Sequence, residues 1–137
     1  MKLHAESIAR LLAAVPTDLA MHDAEWELFA SESAVYQLWN ILRQCAGKNR
    51  WVTANKLLAH KRPHLLPVYD NEVRRLLHAP DGFWACLWTW FAAGSGRHHA
   101  LDELRQEAGG IEDISLLRSL DVVLWMRSQK ARRQPSL

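Results

Sequence analysis

Two prolines four residues apart, Pro63 and Pro67, divide the run from Trp51 to Leu77 and leave it few conformations. Proline lacks an amide hydrogen and disfavours helix at the residue before it, so no single helix can cross His60-Lys61-Arg62-Pro63-His64-Leu65-Leu66-Pro67. On one side, Val52 to Ala59 is an apolar helical run; on the other, Asp70 opens a second run with Val73, Leu76 and Leu77 at helical spacing. The stretch reads as helix, basic corner, short extended segment, helix. The rest of the chain reads as helices that bury the apolar sides of these two.

Those further helices are legible in order. Ile8, Leu11, Leu12 and Val15 share one helical face, which Pro16 terminates. Thr17 or Asp18 caps a second run, acidic and amphipathic, with Leu19, Trp26, Leu28 and Phe29 apolar. Ser31 or Ser33 caps a third, carrying Val35, Leu38, Trp39, Ile41, Leu42 and Cys45 inward and ending near Gly47. The short turn Gly47-Lys48-Asn49-Arg50 makes this helix and the next one neighbours in a hairpin with a basic tip. Past the breakers His78 to Gly82, the residues Phe83, Trp84, Leu87, Trp88 and Phe91 form a wide aromatic face. Gly94 to His99 reads as a polar loop, Ala100 to Ala108 as a short helix, and Asp113 or Ser115 as the start of the last helix. No strand period, repeat or linker is present. The fold class is therefore all-α, a compact single-domain bundle of about six to eight helices over 1–127, with a basic tail, 128–137, that frays.

At 137 residues and 49% hydrophobic content, the chain can bury a core without metal or disulfide staples. Cys45 and Cys86 are far apart in helical contexts and form no CxxC pair, so a disulfide framework and a thiolate zinc site are not expected. The N-terminal apolar stretch is too short and too charged to span a membrane and lacks a signal-peptide layout, which points to the cytoplasm and away from membranes. Charge is distributed unevenly. Residues 1–32 hold six acids and two bases, residues 70–137 hold nine of each, and residues 33–69 hold six Lys or Arg and no acid. A purely basic third attracts polyanions even in a chain whose net charge is +2, unless the acidic N-terminal helices neutralise it in space.

The run LLAHKRPHLLPVYDNEV resembles an uncharacterised, mainly actinobacterial family with a signature close to KLLAxKRPxLxPVYD, in which a segment like LLRSLDVVLWM, here Leu116 to Met126, also recurs. More remotely, Thr53-Ala54-Asn55, followed seventeen residues later by Asp70 and then by Val73 and Arg74, is similar to the core of the helix-hairpin-helix base-excision DNA glycosylases. That resemblance implies a helix-hairpin-helix-like element with its turn at Lys48 to Arg50, and Asp70 as the carboxylate supporting cleavage of the base–sugar bond. The glycines of the usual Gly-x-Gly turn are replaced by Lys48 and Arg50, which leaves charged side chains, and not a backbone cradle, to hold phosphate. Val52 stands where some of these enzymes carry a nucleophilic lysine, so any such activity is of the monofunctional kind. Two cysteines cannot ligate an iron–sulfur cluster.

The candidate residues each carry two readings. Asp70 is a helix N-cap or an essential carboxylate. Lys48, Arg50, Lys56, His60, Lys61 and Arg62 contact nucleic-acid phosphate or are solvated cations complementing helix ends. Trp51 stacks on a base or anchors the hairpin to the core. His60 and His64 straddle Pro63 among cations, an arrangement unsuited to zinc, and His98-His99 sits in a solvent-exposed loop. Trp84, Trp88 and Trp125 have core spacing. Asp121 is either a wet helix edge or a buried acid paired with Arg118. The expected function is DNA-backbone binding by the hairpin Arg43–Arg62 with little sequence reading. One alternative is a minimal glycosylase-like enzyme using Asp70. The other is a protein-interaction module that meets an acidic partner or a second copy. No cofactor or metal is expected, and the oligomeric state is not legible.

Overall fold

The structure, a computed structural model, describes residues 4–45, 50–78, 82–94, 96–110 and 113–134. Seven α-helices form among them: α1 (Ala5–Ala14), α2 (Ala34–Cys45), α3 (Arg50–Lys61), α4 (Asn71–Leu77), α5 (Phe83–Ala93), α6 (Arg97–Ala108) and α7 (Leu116–Arg133), with no strand. The all-α bundle expected from the periodicity is what the chain adopts. Helices α1 and α3 pack on α2, while α4 and α6 pack on α7 and α5 lies against α6. Val35, Leu38 and Leu42 from α2, Leu58 from α3, Leu65 and Leu66 from the extended segment, Phe83 and Leu87 from α5 and Leu117 from α7 meet in one continuous core.

Caps fix several boundaries. Ser33 Oγ accepts the Tyr36 amide at 3.1 Å at the start of α2, and Ser115 Oγ accepts the Arg118 amide at 3.1 Å at the start of α7. Asp70 Oδ1 accepts the amides of Glu72 and Val73 at 3.0 and 3.1 Å, which makes it the N-cap of α4. Replacing Asp70 with alanine is expected to lower stability by about 1 kcal/mol, with asparagine retaining most of the cap. Urea unfolding of the two variants checks this.

Residues 62–70 turn at Pro63 to Leu65 and then run extended to Asp70 between the two groups of helices, and they are held from both sides. Arg62 is buried; its guanidinium donates to the carbonyls of Val15 (3.0 Å), Leu12 (2.5 Å) and Lys61 (2.7 Å), closing the C-terminal end of α1. Met21 donates its amide to His64 O at 3.0 Å. From α7, Ser115 Oγ donates to Pro63 O (2.6 Å), Arg118 donates to Ala59 O (2.5 Å), and Asp121 accepts the Val68 amide (3.2 Å). Every anchor from α7 sits more than fifty residues away in sequence. The Leu65 and Leu66 amides return to Arg62 O within the turn, while Pro63 O, His64 O and the Val68 amide are met by tertiary partners.

Four expectations need correction. The acidic run after Pro16 is not a helix but two 3-10 turns, Met21–Asp23 and Trp26–Phe29, with extended backbone at Ala24 and Glu25 between them. Tertiary bonds from Met21 to the extended segment and from Trp88 Nε1 to Ala24 O (2.9 Å) outweigh its weak helical period. His98 and His99 lie in the first turn of α6, not in a loop, and the His98 ring stacks on His22 at 4.4 Å. Trp125 is 56% exposed beside exposed Val122, Val123 and Met126, because α7 turns inward the face carrying Leu117, Leu120, Leu124 and Ser128. Finally, α7 continues through Arg133, beyond the expected onset of fraying at 128. Glu72 of α4 explains this: its carboxylate accepts from Ser128 Oγ at 2.7 Å and pairs with Arg132. The Ser128 hydrogen bond first, then the arginines, hold its pKa below the usual carboxylate value.

Candidate nucleic-acid interface

Helix α3 divides its residues among three environments. Ala54, Leu58 and Ala59 face the core, Trp51 and Asn55 face a cleft, and Arg50, Thr53, Lys56, Leu57, His60 and Lys61 face solvent. The solvent stripe spans about 17 Å at 1.5 Å per residue and contains no acid. Arg43 is exposed on neighbouring α2. Among the described residues the ion pairs are Arg75 and Arg132 with Glu72, Arg105 with Asp102, Arg118 with Asp121, and His22 with Asp23. None reaches Arg43, Arg50, Lys56 or Lys61, and none links the acids before Ser33 to the basic third. The cations of α2 and α3 therefore lack ion-pair partners among the described residues.

Of the residues singled out in the sequence, Arg50, Lys56, His60 and Lys61 share this stripe, whereas Lys48 lies outside the described residues. Arg62 points the opposite way, into the carbonyls of α1, and offers no free donor edge to phosphate. Trp51 is half-buried, with its ring 5.3 Å from Tyr69, and anchors the hairpin to the core. Asp70 serves as a cap and is not among the residues lining the cleft. Asp121 is the paired buried acid: its side chain is 13% exposed, it meets Arg118, and burial pushes its pKa up to about 6 despite that cation. It supports the extended segment and lies away from the cleft lining.

The cleft itself, of about 600 Å³, opens between α2, α3 and the start of α5. Trp39, Trp51, Trp84, Tyr36, Tyr69 and Phe83 line it together with Trp26 and Phe29 of the second 3-10 turn, joined by two cations, Arg43 and Arg74. Arg43 lies 4.7 Å from the Trp39 ring centroid and Arg74 lies 5.6 Å from that of Trp51, both within cation–π range. No carboxylate lines it. Gly82, at φ +100°, gives the chain the left-handed backbone by which it enters α5 at the cleft edge. Sequence reasoning missed Arg43, Arg74 and Trp39 as site residues. Trp39 and Arg43 stand four apart on one helix, a spacing that signals their contact, but the Arg74–Trp51 pairing is tertiary and has no local signature.

Among the described residues no cluster of three or more His, Cys, Asp or Glu is arranged to hold a metal, and no helix is long and apolar enough to cross a membrane. Residues 1–128 match the model of a family described as a family of unknown function, DUF6308. No curated protein and no solved structure matches the chain.

Proposed function

We propose that this chain, which belongs to the DUF6308 family of unknown function, binds nucleic-acid backbone through the outer face of the α2–α3 hairpin. One observation carries the reading: Arg43, Arg50, Lys56 and Lys61 are exposed on two adjacent helices that contain no acid, and among the described residues no ion pair reaches them from elsewhere in the fold. Cations spaced along one helix present a charged row to phosphates, and such contacts position a backbone without reading sequence.

Labelled single-stranded and duplex DNA, titrated by anisotropy at several salt concentrations, tests this. The expected result is an affinity that falls with salt at a log–log slope of roughly −2 to −4, as for a few phosphate contacts. The double variant Lys56→Glu, Lys61→Glu is expected to lose tenfold or more of that affinity, while Asp70→Asn leaves it unchanged. A double variant that binds as the wild type does would remove α3 from the interface. Arg62 is unsuited to this test, because its replacement removes support for the fold.

A further inference from the structure

We propose that the aromatic cleft between α2, α3 and α5 binds a nucleotide unit, with its base stacked among the tryptophan rings and its phosphate held by Arg43 and Arg74. Three features of the cleft point to this chemistry. Its volume of about 600 Å³ lies in the range of small-molecule sites. Its walls carry aromatic rings from the second 3-10 turn, α2, α3, α5 and the extended segment, and such rings accept any nucleobase because every base has a π face. Its two guanidinium groups have no acid beside them in the lining, so an apolar cleft carries uncompensated positive charge suited to an anion.

Rings and arginines together narrow the ligand. An aliphatic anion would satisfy the arginines and leave the rings unused, and an uncharged ring would leave the arginines unused. A planar heterocycle with a linked phosphate uses both. The link to nucleic acid rests on the backbone-binding reading above: Trp51 and Asn55, in the cleft wall, share α3 with Arg50 and Lys56 of the solvent stripe, so a strand on the stripe can place an unpaired base beside Trp51.

The test uses the full chain, tryptophan fluorescence and three probes at one salt concentration: adenosine monophosphate, a single-stranded oligonucleotide, and a strand of equal length and charge whose sugars carry no bases. The expected result is quenching by the mononucleotide, and affinity for the base-bearing strand at least tenfold above that for the abasic one. Trp39→Phe, which leaves a smaller ring in the wall, is expected to weaken base-bearing ligands roughly fivefold and leave the abasic strand unaffected. Arg74→Gln, at an exposed side chain, is expected to weaken the mononucleotide and serves if Trp39→Phe fails to fold. Equal binding of the two strands with no response to mononucleotide overturns the cleft proposal and leaves the backbone reading standing. A mononucleotide response without strand binding sustains the cleft and overturns the backbone reading. No response to any probe overturns both.

Discussion

Replacing Arg62 with leucine is expected to lower the free energy of unfolding by about 3–5 kcal/mol, a large part of the 5–15 kcal/mol typical of a domain. The guanidinium is 8% exposed and makes three hydrogen bonds to backbone carbonyls, two of them at the end of a helix nearly fifty residues away. Hydrogen bonds from charged groups contribute about 1.5–3 kcal/mol each, net of the water they displace. Leucine fills some of the volume but leaves Val15 O without this donor. Lysine restores only part of the loss, since one ammonium cannot reach the carbonyls on both sides as the planar fork does. Denaturant midpoints with unchanged slopes are the measurement. A leucine variant within 1 kcal/mol of the wild type would show that Arg62 does not hold α1 to the extended segment.

Replacing Arg118 with methionine is expected to cost about 3–5 kcal/mol at pH 7.5 and markedly less at pH 5. Without the guanidinium, Asp121 is left as a buried carboxylate whose remaining described donor is the Val68 amide. In the wild type, burial raises its pKa from 3.8 to about 6. A carboxyl whose pKa rises on folding takes up a proton as the chain folds. Its contribution to stability is therefore greatest below pH 3.8, declines between 3.8 and 6, and above 6 stands about 3 kcal/mol lower. Removing Arg118 takes away the chief opposing influence and drives that pKa further up, so acid relieves the variant. Glu72 acts with the opposite sign, its lowered pKa giving stability that is lost as pH falls below 4.5, so comparison at pH 5 and 7.5 stays clear of it. Urea unfolding of wild type, Arg118→Met and Asp121→Asn at both values separates the contributions. An Arg118→Met deficit equal at the two would mean that Asp121 is not the buried charge it leaves behind.

Both effects arise in residues that the sequence displays without disclosing their partners. The helices were legible wherever apolar residues recur at helical spacing and a polar cap precedes them, as at Ser33, Asp70 and Ser115. The region after Pro16 was not, because its apolar residues are few and its backbone answers to His64 and Trp88 from elsewhere in the fold. Arg62 looked like one more cation of a basic corner; its burial depends on where the end of α1 falls, which no local pattern encodes. The stripe of α3 was legible as charge density, since an acid-free third of the chain needs no structure to be seen. The cleft was not, because its rings come from the second 3-10 turn, α2, α3, α5 and the extended segment, and only their packing turns core-type residues into a wall.

The extended segment has a consequence for the order in which the chain is made. Its partners in α1 are already synthesised when Arg62 emerges, but Ser115 follows Pro63 by 52 residues and Asp121 follows Val68 by 53. At the usual ~5–20 residues per second, the segment waits roughly 3–10 s for α7. During that interval α1, α2 and α3 can dock through Arg62 while Pro63 O and the Val68 amide still lack their native partners. The nascent chain thus carries a ready-made hairpin beside a segment whose polar groups are satisfied only when α7 arrives.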